Sequence, residues 1–412
     1  MDTISPLLLT ATDAGGAGTA TRRIHDGLRE IGVDSRMLVR DKTTDDPTIQ
    51  GPETRLSKAL SKLRPVLDSL PLNYYGSPGE FSISWAPDCL NKRVEQLDPN
   101  VVHLNWVAKG YMSPETIGRL DRPVVWRLPD MWPLTGGCHY AGDCTRYRSE
   151  CGNCPQLNSN TGWDPSRLTL KRKERAVERT DMTVVATTQW LARRASESAI
   201  FGDVPIEVIP NGLDTDTFKP FPREVGRNVF NLPSDALLVL FGAVSPLSNP
   251  RKGHDLVSEA LSQLEVDVES DIELVVFGAS EPADPPDFGF PTHYAGYLED
   301  EESLSLLYSA ADVMVVPSRF EGFGQTVTEA MASGTPVVAF DTTGPSDIID
   351  HKETGYLASK FDPAELAEGI GWVLRDQPRR SNIGEKARSV AIKEYDYEQV
   401  ANQYLDLYES CL

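Results

Sequence analysis

Pro317-Ser318-Arg319-Phe320-Glu321-Gly322-Phe323-Gly324-Gln325-Thr326-Val327-Thr328-Glu329-Ala330-Met331-Ala332-Ser333-Gly334-Thr335-Pro336-Val337-Val338-Ala339 is the stretch on which the reading of the whole chain turns. The run before it, Val313-Met314-Val315-Val316, has the composition of a buried strand. Glu321 stands in the loop past that strand's end, and Gly322 and Gly324 let the loop turn tightly and lie close to a ligand. A helix over Thr326–Ser333 comes next. Its free N–H groups and dipole favour an anion. Glu329 lies one turn in, about 6 Å beyond Gln325 at 1.5 Å per residue. A molecule touching the loop carboxylate, the helix start and the helical carboxylate in turn has the order of parts of a nucleotide-sugar: hydroxyls, an anionic centre, a ribose diol. Carboxylates suit diols because they accept two hydrogen bonds at once.

Outward from this stretch the chain alternates strand-like and helix-like segments. Strands are predicted at Pro6–Thr12, Arg36–Val39, 100–105, 123–127 and 183–187, and again at 236–242, Ile272–Gly278, 313–317 and 336–340. Helices fit between, at 20–31, 165–179, 253–264 and 302–311, and the chain closes with helices over 363–376 and 381–412. The alternation predicts an α/β chain of two doubly wound, Rossmann-like parallel sheets. The pattern breaks near Val208-Ile209-Pro210-Asn211-Gly212, and Pro220 and Pro222 stiffen the linker after it. The expected domains are 1–207, 208–390 and a terminal helix 391–412 that packs back on the first domain. Such sheets bind ligands at the carboxyl ends of their strands, and two of them facing one another would form a cleft.

The spacing of Glu321 and Glu329, with Gly322-Phe323-Gly324 between them, resembles the E-x7-E signature of family 4 retaining glycosyltransferases, which have the GT-B fold. The resemblance extends over most of the chain. Val208-Ile209-Pro210-Asn211-Gly212-Leu213-Asp214 is similar to the family's interdomain segment, and Arg251-Lys252-Gly253 to the place where a lysine holds the donor diphosphate. Asp214-Thr215-Asp216 is read as a linker and cap element, not a metal-binding pair. The resemblance implies transfer of a hexose from a nucleotide-diphosphate sugar to a glycan or lipid-linked acceptor. Glu321 would contact the donor sugar, Glu329 the ribose, and Gly322, Phe323 and Gly324 would lie along the donor. Arg251 and Lys252 would neutralise the diphosphate, so that no cofactor is needed for catalysis. The stretch Gly242-Ala243-Val244-Ser245 departs from the family, which often has an Arg there.

In the first half, Gly15-Gly16-Ala17-Gly18 comes after a strand and opens a helix. The spacing is not the G-x-G-x-x-G of dinucleotide binding. It resembles the family loop that approaches the donor phosphate, which makes Gly15 and Gly16 donor-binding candidates. Asn105 stands where a second His is frequent in the family, and Pro129 where His usually precedes Asp130. Asn105 remains a candidate for sugar hydroxyls, and Asp130 the candidate catalytic carboxylate beside Glu321. Two other readings are carried: a glycoside hydrolase or phosphorylase using Glu321 and Glu329 as an acid–nucleophile pair, and a non-catalytic nucleotide-sugar-binding module.

Composition narrows the partners. The 412 residues carry a net charge of −21, and only 13 of the 40 basic residues are Lys. Nucleic acid, which demands a basic footprint, is not expected as a partner. An acidic, lysine-poor surface is that of a protein kept soluble in molar salt, so an extreme halophile is the expected source. Met1-Asp2-Thr3-Ile4-Ser5 has no basic segment and no long apolar run comes after it, so no secretory leader is expected and the cytoplasm is the expected compartment. Cys138, Cys144, Cys151 and Cys154 fall within 17 residues, in an insertion (131–157) resembling that of a subgroup linked to polysaccharide assembly. The C-x-x-C half is a familiar zinc half-site, so a structural zinc is expected beside the alternatives of reduced core thiols or a disulfide. Finally, Leu56, Leu60, Leu63, Leu67 and Leu70 form one stripe of a helix that also carries Arg55, Lys58 and Lys62. The leucines belong either in a core, the ordinary placement, or on the inner membrane surface through 55–70.

Overall fold

The computed structural model describes residues 4–76, 79–265, 271–298 and 300–412, so Met1–Thr3 of the leader reading lie outside the described residues. The chain forms two compact units, Met1–Gly212 with Tyr397–Leu412, and Leu213–Asp396.

The first unit is built on seven parallel strands: β1 (Pro6–Thr12), β2 (Arg36–Asp41), β3 (Ile49–Gln50), β4 (Val101–Leu104), β5 (Val124–Leu128), β6 (Met182–Ala186) and β7 (Ile206–Val208). Their order is β3-β2-β1-β4-β5-β6-β7, with Leu8 registered against Met37 on one side and His103 on the other. The apolar run of β1 is unbroken because both faces are covered: Leu7 and Leu9 enter one core cluster, Leu8 another. The second cluster is closed by the terminal helix Tyr397–Cys411, whose Val400, Ala401, Tyr404 and Tyr408 are fully buried. Gly27 makes room for it, since a Cβ there would lie 2.6 Å from the Tyr397 carbonyl oxygen.

The second unit has six parallel strands: β8 (Leu237–Gly242), β9 (Ile272–Phe277), β10 (Thr292–Gly296), β11 (Val313–Val316), β12 (Val337–Phe340) and β13 (Gly355–Ala358), in the order β10-β9-β8-β11-β12-β13. The switch in winding direction falls between β8 and β11, as it falls between β1 and β4 in the first unit.

The divide lies at Gly212/Leu213 and Asp396/Tyr397, a few residues beyond the expected 207/208 and 390/391. Two bonds set it. The Ile209 amide donates to the Ala186 carbonyl (3.1 Å), which keeps the segment on the first sheet, and the Leu213 amide donates to Tyr395 (2.8 Å) in the second. The expected single helix 381–412 is two, Gln377–Tyr395 and Tyr397–Cys411, broken at Asp396.

The ordinary core placement of the leucine stripe is overturned. On the helix Arg55–Ser69 it is Ser61 and Asp68 that are buried, while Leu56, Leu60, Leu63 and the adjoining Leu70 are exposed, as is Val66, and Leu67 is half-buried. No helix among the described residues is long and apolar enough to cross a membrane.

Candidate active site

The loops leaving β8 and β11 meet at the switch point of the second unit. The β8 loop ends in a short turn, Pro250–Lys252, and Gly253 then opens the helix His254–Ser262. Gly253 has φ +73°, and a Cβ there would be 2.1 Å from the Pro317 carbonyl oxygen, so only glycine lets the two loops touch. They are then tied together. The Arg319 amide donates to the Arg251 carbonyl (2.8 Å), and the Arg319 guanidinium grips both oxygens of Asp255 at 2.8 and 2.6 Å.

This clamp brings three predicted residues into one cluster. Lys252 Nζ lies 2.6 Å from Glu321 Oε1, and Arg251 Nη1 lies 3.4 Å from Oε2. Ser318 Oγ donates to Oε1 (2.9 Å), and Arg251 also donates to the Phe320 carbonyl (2.8 Å). Burial pushes the Glu321 carboxyl up. The Lys252 and Arg251 charges, with the hydrogen bonds from Lys252 and Ser318, push it further down, to about 2. Glu321 is therefore a fixed anion. The three side chains keep 14–20% of their surface exposed, so they are held without being sealed.

Immediately downstream, Gly324 (φ +112°) is the N-cap of the helix Gln325–Ala332 and supplies no side-chain cap. The loop after β12 closes the other side, where the Gly344 amide donates to the Glu321 carbonyl (3.0 Å). Gly322 and Phe323 are buried; the Phe323 ring packs edge-on against Tyr395 at 5.8 Å and belongs to the core. Glu329 is 6% exposed and accepts a hydrogen bond from Tyr308 (3.0 Å). Asp214 bonds the backbone amides of Asp216 and Thr217, the local cap expected of the Asp214-Thr215-Asp216 stretch.

The first unit arranges its candidates differently. Gly15 and Gly16 are exposed at the start of the helix Gly15–Glu30, whose N-cap Ala14 has no capping side chain. The preceding Asp13 is buried and takes five hydrogen bonds from four donors, the Thr43 and Thr44 backbone amides and hydroxyls, which fixes the loop. Asn105, at the end of β4, is 1% exposed and accepts from Arg127 (3.3 Å); Arg127 also donates to Asn211. Asn105 is thus occupied inside the unit.

Asp130, past the end of β5, is also buried. It pairs with His139 Nδ1 (2.7 Å) and accepts from the Trp132 amide (2.7 Å) and Trp106 Nε1 (3.1 Å). Burial raises its carboxyl, but the charge and hydrogen bond of His139, with the two N–H donors, hold it below the usual range. His139 is a functional candidate that spacing missed, because the chain reaches it nine residues away through the insertion. Lys173 was missed as well. Burial drives its ammonium down to about 7 against the opposing Cys138, Asp130 and Cys151, and it donates to the Trp132 and Thr135 carbonyls, anchoring the insertion.

Cys138, Cys144, Cys151 and Cys154 line one narrow cavity and are all free. Zinc bound by four thiolates at about 2.3 Å requires sulfurs within about 4 Å of one another. Among the described residues, the only three or more His, Cys, Asp or Glu ligand atoms that lie within 4.8 Å of one another are those of His25, Asp26 and Asp46. The expected zinc is therefore not supported: the thiols share a cavity without forming a tetrahedral set.

Residues 14–217 match the profile of Glycosyltransferase Family 4, and residues 227–390 that of Glycosyl transferases group 1. A D-inositol 3-phosphate glycosyltransferase of Xylanimonas cellulosilytica is 33% identical over 220 residues, which cover 49% of this chain and 51% of that protein. This chain thus aligns with about half of that relative's length. Among solved structures, the sucrose-phosphate synthase of Thermosynechococcus elongatus superposes with a TM-score of 0.70 at 20% identity, over 99% of this chain and 98% of the other. The Anabaena HepE protein, solved in complex with UDP and glucose, gives 0.66 at 17% identity, over 99% of this chain and 100% of that one.

Proposed function

The chain belongs to the family 4 glycosyltransferases of GT-B fold, and on that premise we propose that it moves a hexose from a nucleotide-diphosphate sugar to a glycan or lipid-linked acceptor, with retention at the anomeric carbon. The observation that carries this reading is the Lys252–Glu321–Arg251 cluster at the β8/β11 switch point, just ahead of a helix start that has no capping side chain. A pyrophosphate leaving group develops charge as the glycosidic bond breaks. Two held cations and the N-terminus of a helix stabilise that charge at no cost in reorganisation, so a divalent metal is not called for. Glu321, kept ionised, positions those cations and accepts from sugar hydroxyls. Glu329, steadied by Tyr308, serves the ribose diol. In the first unit Asp130, oriented by His139, is the candidate catalytic carboxylate.

The test is a panel of UDP-, GDP- and ADP-sugars, scored by thermal stabilisation and by turnover with mono- and disaccharide acceptors; the Anabaena complex puts the UDP-sugars first in that panel. Stabilisation by one nucleotide series, lost in Lys252→Ala, is the expected result. No stabilisation by any nucleotide-sugar, or turnover of an unactivated glycoside, overturns the reading.

A further inference from the structure

The leucine stripe of the first unit is exposed because its helix is held the other way round. Arg64 donates to the carbonyls of Gly110 (2.7 Å), Pro87 (2.7 Å) and Ala86 (3.2 Å). Asp68 accepts from the Trp85 amide (3.2 Å), and the Trp85 indole donates back to the Leu67 carbonyl (2.9 Å). The helix is also capped by a reciprocal Thr54–Ser57 box. Its polar face is therefore fastened to the body of the unit, and it cannot roll to hide its leucines without breaking these bonds. Leu56, Leu60, Leu63, Val66 and Leu70 stay 47–71% exposed, with Trp85 at 44% beside them. Beyond Trp85 and Pro71 opens a cavity of about 580 Å³, lined also by Ile83 and Leu168, with Arg172 and Arg119 among its polar groups.

Charge says what covers this face. In a chain of net charge −21, the exposed turns of this helix carry Arg55, Lys58 and Lys62, and their side chains enter no ion pair among the described residues. At 100° per residue these three flank the apolar arc on one side, which is the pattern of a helix lying in a lipid interface. A second copy docked through the same stripe about a two-fold axis would bring Lys58 and Lys62 against their own equivalents, so a like-charged partner is disfavoured. We propose that residues 55–70 dock this protein onto an anionic lipid surface. The leucines enter the headgroup–acyl boundary and the three cations meet lipid phosphates. This surface is independent of the donor site, and binding to it can be measured without reading activity.

Full-length protein is sedimented with sucrose-loaded phosphatidylcholine vesicles, with and without phosphatidylglycerol. Co-sedimentation with the anionic vesicles is expected, falling about five-fold for each lysine neutralised in Lys58→Gln and Lys62→Gln. The triple change Leu56→Ser, Leu60→Ser, Leu63→Ser is expected to reduce it to background. The substituted side chains are exposed, so circular dichroism and Tm should match the parent and exclude unfolding as the cause. Wild type that ignores anionic vesicles, or variants that bind as well as the parent, overturns the proposal. So does a sedimentation mass of two chains that falls to one in the serine variant.

Discussion

The two sheets wind in the same way and place opposite kinds of cation at the ends of their strands. In the second unit Lys252 and Arg251 sit at the switch between β8 and β11, paired with Glu321 yet 15–20% exposed. In the first, Arg127 near the end of β5 is 1% exposed and spends its guanidinium on the side-chain oxygens of Asn105 and Asn211. Burial separates a strut from a ligand group. A guanidinium sealed among amides holds loops together, and a cation that keeps a solvent face can exchange a carboxylate for a phosphate.

Removing one cation from each unit breaks the comparison most sharply. Lys252→Ala takes away charge that is needed when the leaving group develops its own. The loss expected in kcat/KM is about 10²–10³-fold, or roughly 3–4 kcal/mol of transition-state stabilisation, with a smaller loss of stability, about 1 kcal/mol, from the Glu321 pairing that goes with it. Lys252→Arg, which keeps the charge, recovers part of it. Arg127→Met does the reverse. It leaves the Asn105 and Asn211 oxygens buried without their donor, and should cost about 3 kcal/mol in urea unfolding while nucleotide affinity stays within about two-fold. A large KM effect from Arg127→Met, or a purely structural one from Lys252→Ala, would erase the distinction.

The same contrast explains what could be read from the sequence. Strands such as Pro6–Thr12 and Val313–Val316 were legible because both faces are buried and the apolar run is continuous. The edge strands β3, β7, β10 and β13 were not: Ile49–Gln50 and Ile206–Val208 are two and three residues long, and Thr292–Gly296 is half-buried throughout. The Lys252–Glu321 pair was visible because each partner sits in a short loop past a strand. The Asp130–His139 pair was invisible, since an insertion folds back to make it. The leucine stripe was legible as a helix and misread as core. Periodicity reports which residues share a face, and only the Arg64 and Asp68 bonds decide which face is fastened inward.

A smaller effect sharpens the electrostatics of the second unit. The folded pKa of Glu321 is depressed to about 2 against an ordinary value near 4.5. Its pairing with Lys252 and Arg251 therefore contributes stability that is fully present above pH 4.5 and is lost as pH falls toward 2, because the unfolded chain takes up the proton first. The contribution is on the order of 3 kcal/mol. Glu321→Gln lacks it at every pH. Urea unfolding of the two proteins should differ most near neutrality and converge as pH falls from 4.5 to 2. A gap that stays constant with pH would mean that the carboxylate is not a paired anion in the folded protein.

The smallest expected effect concerns what the two units share. The helices Gly15–Glu30 and Gln325–Ala332 both begin without a capping side chain, whereas Thr54, Asp164, Thr188, Asp300, Asp362 and Asp376 cap others in the chain. Ala14 already has the extended backbone of an N-cap (φ −117°, ψ 169°), so Ala14→Asp can take up the N–H groups of the first turn without strain. In the unliganded protein it should raise stability by about 1 kcal/mol. If those N–H groups serve the donor phosphates, the new carboxylate competes with them. The same variant should then bind nucleotide several-fold more weakly and lose part of the thermal shift that the nucleotide gives the parent. A gain in stability with unchanged nucleotide affinity would make the glycine-rich start of the first helix a matter of packing, where a Cβ at Gly18 would lie 2.6 Å from the Thr12 carbonyl oxygen.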